Sequence, residues 1–279
     1  MPEISPALYR AGEGEPVVLL HGFTGTWRHW WPVLADLVPR FEVIAPTLAG
    51  HDGGPPYPHG GPLTLAQGAD SLEEHLDELG IGTAHFVGNS MGGAFSLEMA
   101  KRGRARSVVA LSPGAGWAPG DPEAERVARF FVRTTRLARA TLPRIDQVMR
   151  RPGPRKLALR DAMRHGELVP AAEAADIVRT SVRCDVIDDV IQALRGPGNV
   201  AMTDLDKVSC PTLIAWAQFD RILPMERHSL RFRREIPGVE FRVLPGCGHV
   251  PMWDDSRLVA QTIDGWVTKH SDVPATATA

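Results

Sequence analysis

The sequence predicts a mostly parallel, doubly wound α/β sheet interrupted by a helical insertion. Three features of the pattern predict it. Apolar runs of strand length alternate with stretches of helical periodicity, the order that builds a parallel sheet with helices on both faces. Several of these runs end in glycine or proline, where a strand gives way to a turn. The alternation breaks after Gly114 and resumes near residue 206. Residues 1–114 and 206–279 are therefore expected to form the sheet domain. Residues 115–205 are expected to form a helical insertion over one edge of the sheet.

The first buried strand is predicted over residues 16–23, PVVLLHGF, stopped by Gly22. Trp27, Trp30, Trp31, Leu34 and Leu37 follow at helical spacing. FEVIAPT, residues 41–47, reads as the next strand, and a Gly/Pro loop runs over residues 48–62. Leu65, Ala69, Leu72, Leu76 and Leu79 then share one face of a helix. AHFVG (84–88) is a strand, 92–101 a helix and SVVALSPG (107–114) a strand. Beyond the insertion come a strand over 211–219, a basic helix near 225–234, a strand over 239–246 and a last helix near 256–267. The tail SDVPATATA is small and polar and is expected to fray.

Composition bounds the function. Apolar content of 43 %, charged content of 23 % and a net charge of −2 give no bias toward nucleic acid or anionic membrane. No apolar run is long enough to span a bilayer. The start MPEISPALYR has neither a basic nor an apolar leader region, so a cytoplasmic location is expected. Cys184, Cys210 and Cys247 are odd in number and far apart, which argues against a disulfide framework and a thiolate metal site. Without H-E-x-x-H, a strand-linked G-x-G-x-x-G or a P-loop lysine, no metal and no organic cofactor is expected.

The stretch HFVGNSMGGAF carries the chemistry. Gly88-Asn89-Ser90-Met91-Gly92 is G-x-S-x-G between a predicted strand and a predicted helix, the context the motif demands. A serine exposed on so tight a turn needs strained backbone angles, and side chains two residues away would collide with neighbouring elements. Such a hydroxyl attacks only when a base removes its proton, and a carboxylate must orient that base. Of ten histidines, His249 follows a strand in a glycine-rich loop, the edge at which ligands of parallel sheets sit. His29, His165, His228 and His270 read as surface positions, and His75 as a solvated helix position. Asp220 ends the apolar strand LIAWAQFD and is the expected acid; Asp254 and Asp255 fall where N-capping is expected. The backbone N–H groups of Met91, at the helix start, and Phe23, in the loop after the first strand, are the expected oxyanion donors. His21 is expected to brace that loop by hydrogen bonding.

With HGFTG, GNSMGG, FDRILP and GCGHVPMWDD in this order, the sequence resembles an α/β-hydrolase with a cap domain. The resemblance covers roughly residues 15–114 and 206–268. It implies Ser90, Asp220 and His249 as a triad and Phe23 and Met91 as the oxyanion hole. PTLAGHDGG departs from the family's usual loop at Thr47 and Asp52. Ser90 disfavours the epoxide hydrolases and haloalkane dehalogenases of this fold, which use an aspartate nucleophile. Hydrolysis of a small carboxylic ester or lactone is the preferred expectation. Carbon–carbon hydrolysis of the meta-cleavage-product type, suggested by the turn sequence and Trp253, and haloperoxidase-like perhydrolysis are the alternatives. A ligand receptor on the same fold is the non-enzyme alternative. Asn89, Trp117 and Trp253 are candidate substrate contacts. A small-molecule ester is the expected partner, with no nucleic acid, no stable membrane insertion and homo-oligomers allowed.

Residues 126–164 hold 12 Lys or Arg and two acids. Arg126, Arg129, Arg133 and Arg136 share a helix face, beside one bearing Val127, Phe130, Phe131 and Leu137. Three readings follow: a solvated basic face, a guanidinium turned inward toward a substrate carboxylate, or a weak anionic-surface contact.

Overall fold

The computed structural model describes residues 2–57, 63–196 and 200–271. The predicted frayed tail from residue 272 onward, and residues 58–62 of the predicted Gly/Pro loop, lie outside the described residues. Strands β1 (Glu3–Ile4), β2 (Leu8–Ala11), β3 (Pro16–Leu20), β4 (Glu42–Pro46), β5 (Ala84–Asn89), β6 (Ala105–Leu111), β7 (Thr212–Ala217) and β8 (Glu240–Leu244) form one sheet. Their order is β1-β2-β4-β3-β5-β6-β7-β8. From β4 to β8 every pairing is parallel; β1 and β2 are antiparallel. These two edge strands were not expected from sequence, because two and four residues are too short to display an alternation.

The helices are α1 (Trp31–Leu37), α2 (Leu65–Glu78), α3 (Met91–Lys101), α4 (Glu123–Thr141), α5 (Ile145–Arg150), α6 (Pro152–Leu159), α7 (Ala171–Val182), α8 (Ile187–Arg195), α9 (Met225–His228), α10 (Leu230–Glu235) and α11 (Ser256–Lys269). A capping box starts α2: Thr64 accepts from the Gln67 N–H while the Gln67 side chain accepts from the Thr64 N–H. The predicted basic helix lapses at Ser229, whose φ of −81° and ψ of −19° stay helical, so α9 and α10 follow each other closely. Among the described residues, no helix is long and apolar enough to cross a membrane.

Each central strand buries both faces, and the pleat sorts its residues. Val18 and Leu20 join the core cluster that includes Phe86, Phe95 and Leu97; Val17 and Leu19 join the one holding Trp27, Trp30 and Trp266. The insertion is not confined to one edge of the sheet. Asp185 donates to the Gly50 carbonyl beyond β4 at 2.8 Å, and Val250 beyond β8 donates to the Ala162 carbonyl at 2.8 Å. Its helices therefore extend across the carboxyl ends of the parallel strands. They add Val127 and Ile191 to one cluster, Met149 and Met163 to the other.

Candidate active site

At the end of β5 a single residue, Ser90, turns the chain into α3. It holds φ 56° and ψ −115°, a conformation side chains rarely adopt. The turn is tight enough for backbone to meet backbone. A Cβ at Gly88 would lie 2.0 Å from the Gly92 carbonyl oxygen, and one at Gly92 would lie 2.1 Å from that of Leu20. The two flanking glycines are therefore a steric requirement. The turn is anchored to β6 and the loop after it. Ser90 N–H donates to the Leu111 carbonyl at 2.9 Å, and the Ser90 carbonyl accepts from Gly114 at 2.9 Å.

Asp220 and His249 follow β7 and β8. The His249 ring donates from Nδ1 to Asp220 Oδ2 at 2.6 Å, which leaves the Nε2 lone pair free to accept a proton. Asp220 Oδ1 accepts from the N–H groups of Ile222 and Leu223 at 2.9 and 2.7 Å. Both carboxylate oxygens are engaged, so acid and ring hold one orientation. The His249 loop is also held from two sides. Asn89 Nδ2 donates to the His249 carbonyl at 2.9 Å and to that of Leu111 at 3.2 Å. Asp254 accepts from Gly248, Arg164 and His165 at 2.7, 3.0 and 2.8 Å. It thus stitches the loop to the insertion instead of capping α11. Asp255 provides that cap, accepting from Leu258 at 2.9 Å.

The loop after β3 passes beside Ser90: a Cβ at Gly22 would lie 3.3 Å from the Ser90 Cβ. Buried His21 shapes it. Its Nε2 accepts from the Leu48 N–H at 2.9 Å, so Nδ1 carries the proton and donates to the Gly22 carbonyl at 2.9 Å. Burial, aided by His51, pushes its pKa well below 6.5, so the ring is a neutral brace. Phe23 follows in this loop, and Met91 opens α3, where helix geometry leaves N–H groups without an intrahelical partner.

Ser90 opens onto a chamber walled by the core and the insertion. Phe23, Met91, Trp117, Phe131, Ile222 and Leu223 are among its lining residues, and among the described residues no charged side chain is. Trp117 is thus where a substrate contact was expected. Asn89 and Trp253 are not. Asn89 is fully buried, and its amide nitrogen is engaged by two backbone carbonyls. Trp253 packs against the cluster on the other face of the sheet and does not line this chamber. Trp27 and Trp30 are core residues, and Trp31 is exposed. Phe131 and Leu223 were not singled out as substrate contacts; nothing local distinguishes them from ordinary core residues.

The insertion's arginines do not reach the chamber. Arg129 and Arg133 are 69 % and 67 % exposed, facing Glu125 and Asp161. Arg126 turns inward, but its guanidinium is taken by Glu123 at 2.6 Å and the Ile222 carbonyl at 2.8 Å. Beside it lies His228, read from sequence as a surface residue but fully buried, with Nε2 3.1 Å from Glu123 and 3.0 Å from Arg126. Its pKa is lowered by burial first and by Arg126 second, against the pull of Glu123. His29, also expected at the surface, is buried. Among the described residues, no cluster of His, Cys, Asp or Glu is arranged to hold a metal ion.

The family model described as alpha/beta hydrolase family matches residues 17–262. An epoxide hydrolase, EphH, of Mycobacterium tuberculosis is 33 % identical over 202 residues, 71 % of this chain and 92 % of the relative. A 2-hydroxy-6-oxo-6-phenylhexa-2,4-dienoate hydrolase of Burkholderia cepacia is 26 % identical over 253 residues, 88 % of this chain and 84 % of that one. A solved thermophilic esterase from Thermogutta terrifontis superimposes with a TM-score of 0.70 at 26 % identity, over 97 % of this chain and 99 % of the esterase.

Proposed function

The chain belongs to the alpha/beta hydrolase family, and from that premise we propose that it is a serine hydrolase of small, neutral carboxylic esters or lactones. Ser90 Oγ attacks the carbonyl carbon while its proton passes to His249 Nε2. Asp220 holds the ring and stabilises the imidazolium. The N–H groups of Phe23 and Met91 receive the developing oxyanion. The tetrahedral intermediate collapses, the bond to the alcohol oxygen breaks, and His249 returns the proton to that oxygen. Water then attacks the acyl-enzyme by the same route, releasing the acid and restoring Ser90. Residues 115–205 serve as the cap that closes the chamber.

One observation carries the choice of substrate: among the described residues, no charged side chain lines the chamber beside Ser90. A substrate carboxylate placed there would be desolvated without a cation. The inward guanidinium of Arg126 is already engaged. This favours neutral esters over the dienoate-type carbon–carbon reading, which the Burkholderia relative keeps as the second hypothesis. Epoxide opening by Ser90 would leave an ether on the serine. An ether offers no carbonyl carbon for water to attack, so the serine does not suit the chemistry named for the mycobacterial relative.

Fluorophosphonate labelling of Ser90, followed by a series of p-nitrophenyl esters of graded chain length beside a dienoate ketone, tests the proposal. Labelling at Ser90 and turnover of the esters support it. Turnover of the ketone alone promotes carbon–carbon hydrolysis. Absence of both labelling and turnover leaves the ligand-receptor reading.

A further inference from the structure

Asp220 is held from the insertion as well as from the core. Its Oδ1 accepts from the Ile222 N–H at 2.9 Å and from the Leu223 N–H at 2.7 Å. The Leu223 N–H and the Ile222 carbonyl belong to one peptide unit, which is planar and rigid. At the other end of that unit the Ile222 carbonyl accepts from Arg126 Nη2 at 2.8 Å. One peptide plane therefore has a guanidinium at its oxygen and the Asp220 carboxylate at its N–H. The two bonds polarise the amide in the same sense, so each strengthens the other. Turning the plane to break either bond misaligns the other.

Arg126 is itself fixed in place. Ala124, Val127 and Ala128 of α4 are buried in the core cluster, which anchors the helix around it. Glu123, one turn earlier, accepts from Arg126 Nε at 2.6 Å and from Arg227 at 3.1 Å. A guanidinium holds its nitrogens in one planar fork, so the bond from Nε to Glu123 aims Nη2 at the carbonyl. Buried His228 closes the inner side, with Nε2 3.0 Å from Arg126 Nη2 and 3.1 Å from Glu123. Beyond Leu223, the next carbonyl accepts from Trp216 Nε1 at 3.0 Å. The two peptide units flanking Leu223 are thus pinned, one by the insertion and one by the core. Ile222 and Leu223 line the chamber, whereas Arg126 does not. Its route to the reaction runs through this loop.

We propose that Arg126 is a positioning residue for the hydrolysis: by holding the peptide unit between Ile222 and Leu223, it keeps the Asp220 carboxylate aligned on His249 Nδ1. The proposal rests on the serine-hydrolase reading of Ser90, Asp220 and His249. It gives the insertion a part in the chemistry beyond covering the chamber. A carboxylate turned away from Nδ1 orients the ring poorly and stabilises the imidazolium less, so the cost of losing Arg126 falls on kcat.

A double-mutant cycle with a p-nitrophenyl ester separates positioning from simple bracing. Arg126→Met keeps the aliphatic stem and removes the donors. Its kcat should fall at least about tenfold. Made in Asp220→Ala, which lacks the carboxylate to be positioned, the same change should cost less than about twofold. Arg126→Lys keeps the charge and one donor but not the fork, and its kcat should lie between those of Arg126→Met and wild type. Should Arg126→Met not fold, Arg126→Lys carries the cycle, with a loss at least about threefold larger beside Asp220 than in Asp220→Ala. Equal fractional losses in the two backgrounds would make Arg126 a brace of the fold alone and overturn the proposal. An unchanged kcat in Arg126→Met overturns it too, as does a loss confined to KM, which assigns Arg126 to the shape of the chamber. Asp220→Ala as active as wild type overturns the triad reading itself and the proposal with it. That single variant tells the two failures apart.

Discussion

The strand-end wall of the candidate site, with the groups packed behind it, and the facing wall are held by different forces. Behind the strand-end wall, directional hydrogen bonds fix the groups that shape the site. Asp220 accepts three, Asp254 accepts three from backbone N–H groups, and the Asn89 amide donates two. The facing wall, built from α4 and α8, meets the chamber with Val127, Phe131, Val190 and Leu194. Its outer side carries exposed ion pairs such as Arg129 with Glu125. The difference teaches a division of labour. Proton transfer and oxyanion stabilisation depend on angles and distances, which hydrogen bonds define. An apolar wall defines volume, and cores tolerate substitutions that conserve volume. Chemistry is therefore expected to be fragile on the first wall, and substrate choice adjustable on the second.

Ser90→Ala is the most severe test of that contrast. It should lower kcat by about 10⁶ while leaving the fold intact, since a hydroxyl that opens onto a chamber contributes little packing. Ester turnover close to wild type in this variant would show that the strand-end wall does not carry the chemistry. Asp220→Asn should cost about 10⁴ in kcat, because the amide favours the wrong tautomer of His249. If Asp254→Asn is the more damaging of the two in kcat, the roles of the acids have been exchanged.

Acid should destabilise the buried histidines around the loops after β3 and β4. His29 and His51 are held at about 4, by burial first, and His21 well below its ordinary 6.5. The unfolded chain takes up these protons near pH 6.5 while the folded chain does not. Stability is therefore complete above that pH and is lost as pH falls toward 4. Between pH 7.5 and 5.5 His29 and His51 should together remove about 3 kcal/mol, and His21 acts in the same direction. Urea midpoints that stay level across this interval would mean that these rings are not buried as neutral species.

Asp254→Ala strips three backbone N–H groups of their acceptor, and about 3 kcal/mol of stability should go with it. It loosens the His249 loop from the insertion, so a wild-type melting temperature would be the telling result against that stitch. The smallest effect belongs to the outer side of the facing wall. Arg129→Ala should leave kcat/KM within about twofold for a neutral ester and for its ω-carboxylate analogue alike, as exposed guanidinium pairs contribute little. A selective loss on the acidic substrate would place a cation in the chamber after all and move the assignment toward the dienoate-type hydrolases.

The sequence by itself determined the backbone-encoded part of this protein. Gly88 and Gly92 flank Ser90 because two peptide planes cross there at contact distance. The paired apolar faces of β3, Val17 with Leu19 and Val18 with Leu20, follow from the two-residue pleat. The pairing of Asp220 with His249 was legible because each follows a run recognisable as a strand, buried in β7 and at the more exposed sheet edge in β8, and parallel strands deliver their ends to one edge. Tertiary structure decided everything that depends on partners distant in the chain. Asn89 became a tether because the His249 carbonyl, 160 residues away, lies against it. Asp254 became a stitch because the insertion crosses to it, and His228 became buried because Glu123 and Arg126 close over it. Trp253 faces the far cluster because the loop that follows β8 packs it there. Local pattern reports the conformation of a few consecutive residues through sterics and hydrogen bonding along the chain. It carries no record of which distant side chain will supply the other half of a contact, and that pairing exists only after the core has closed.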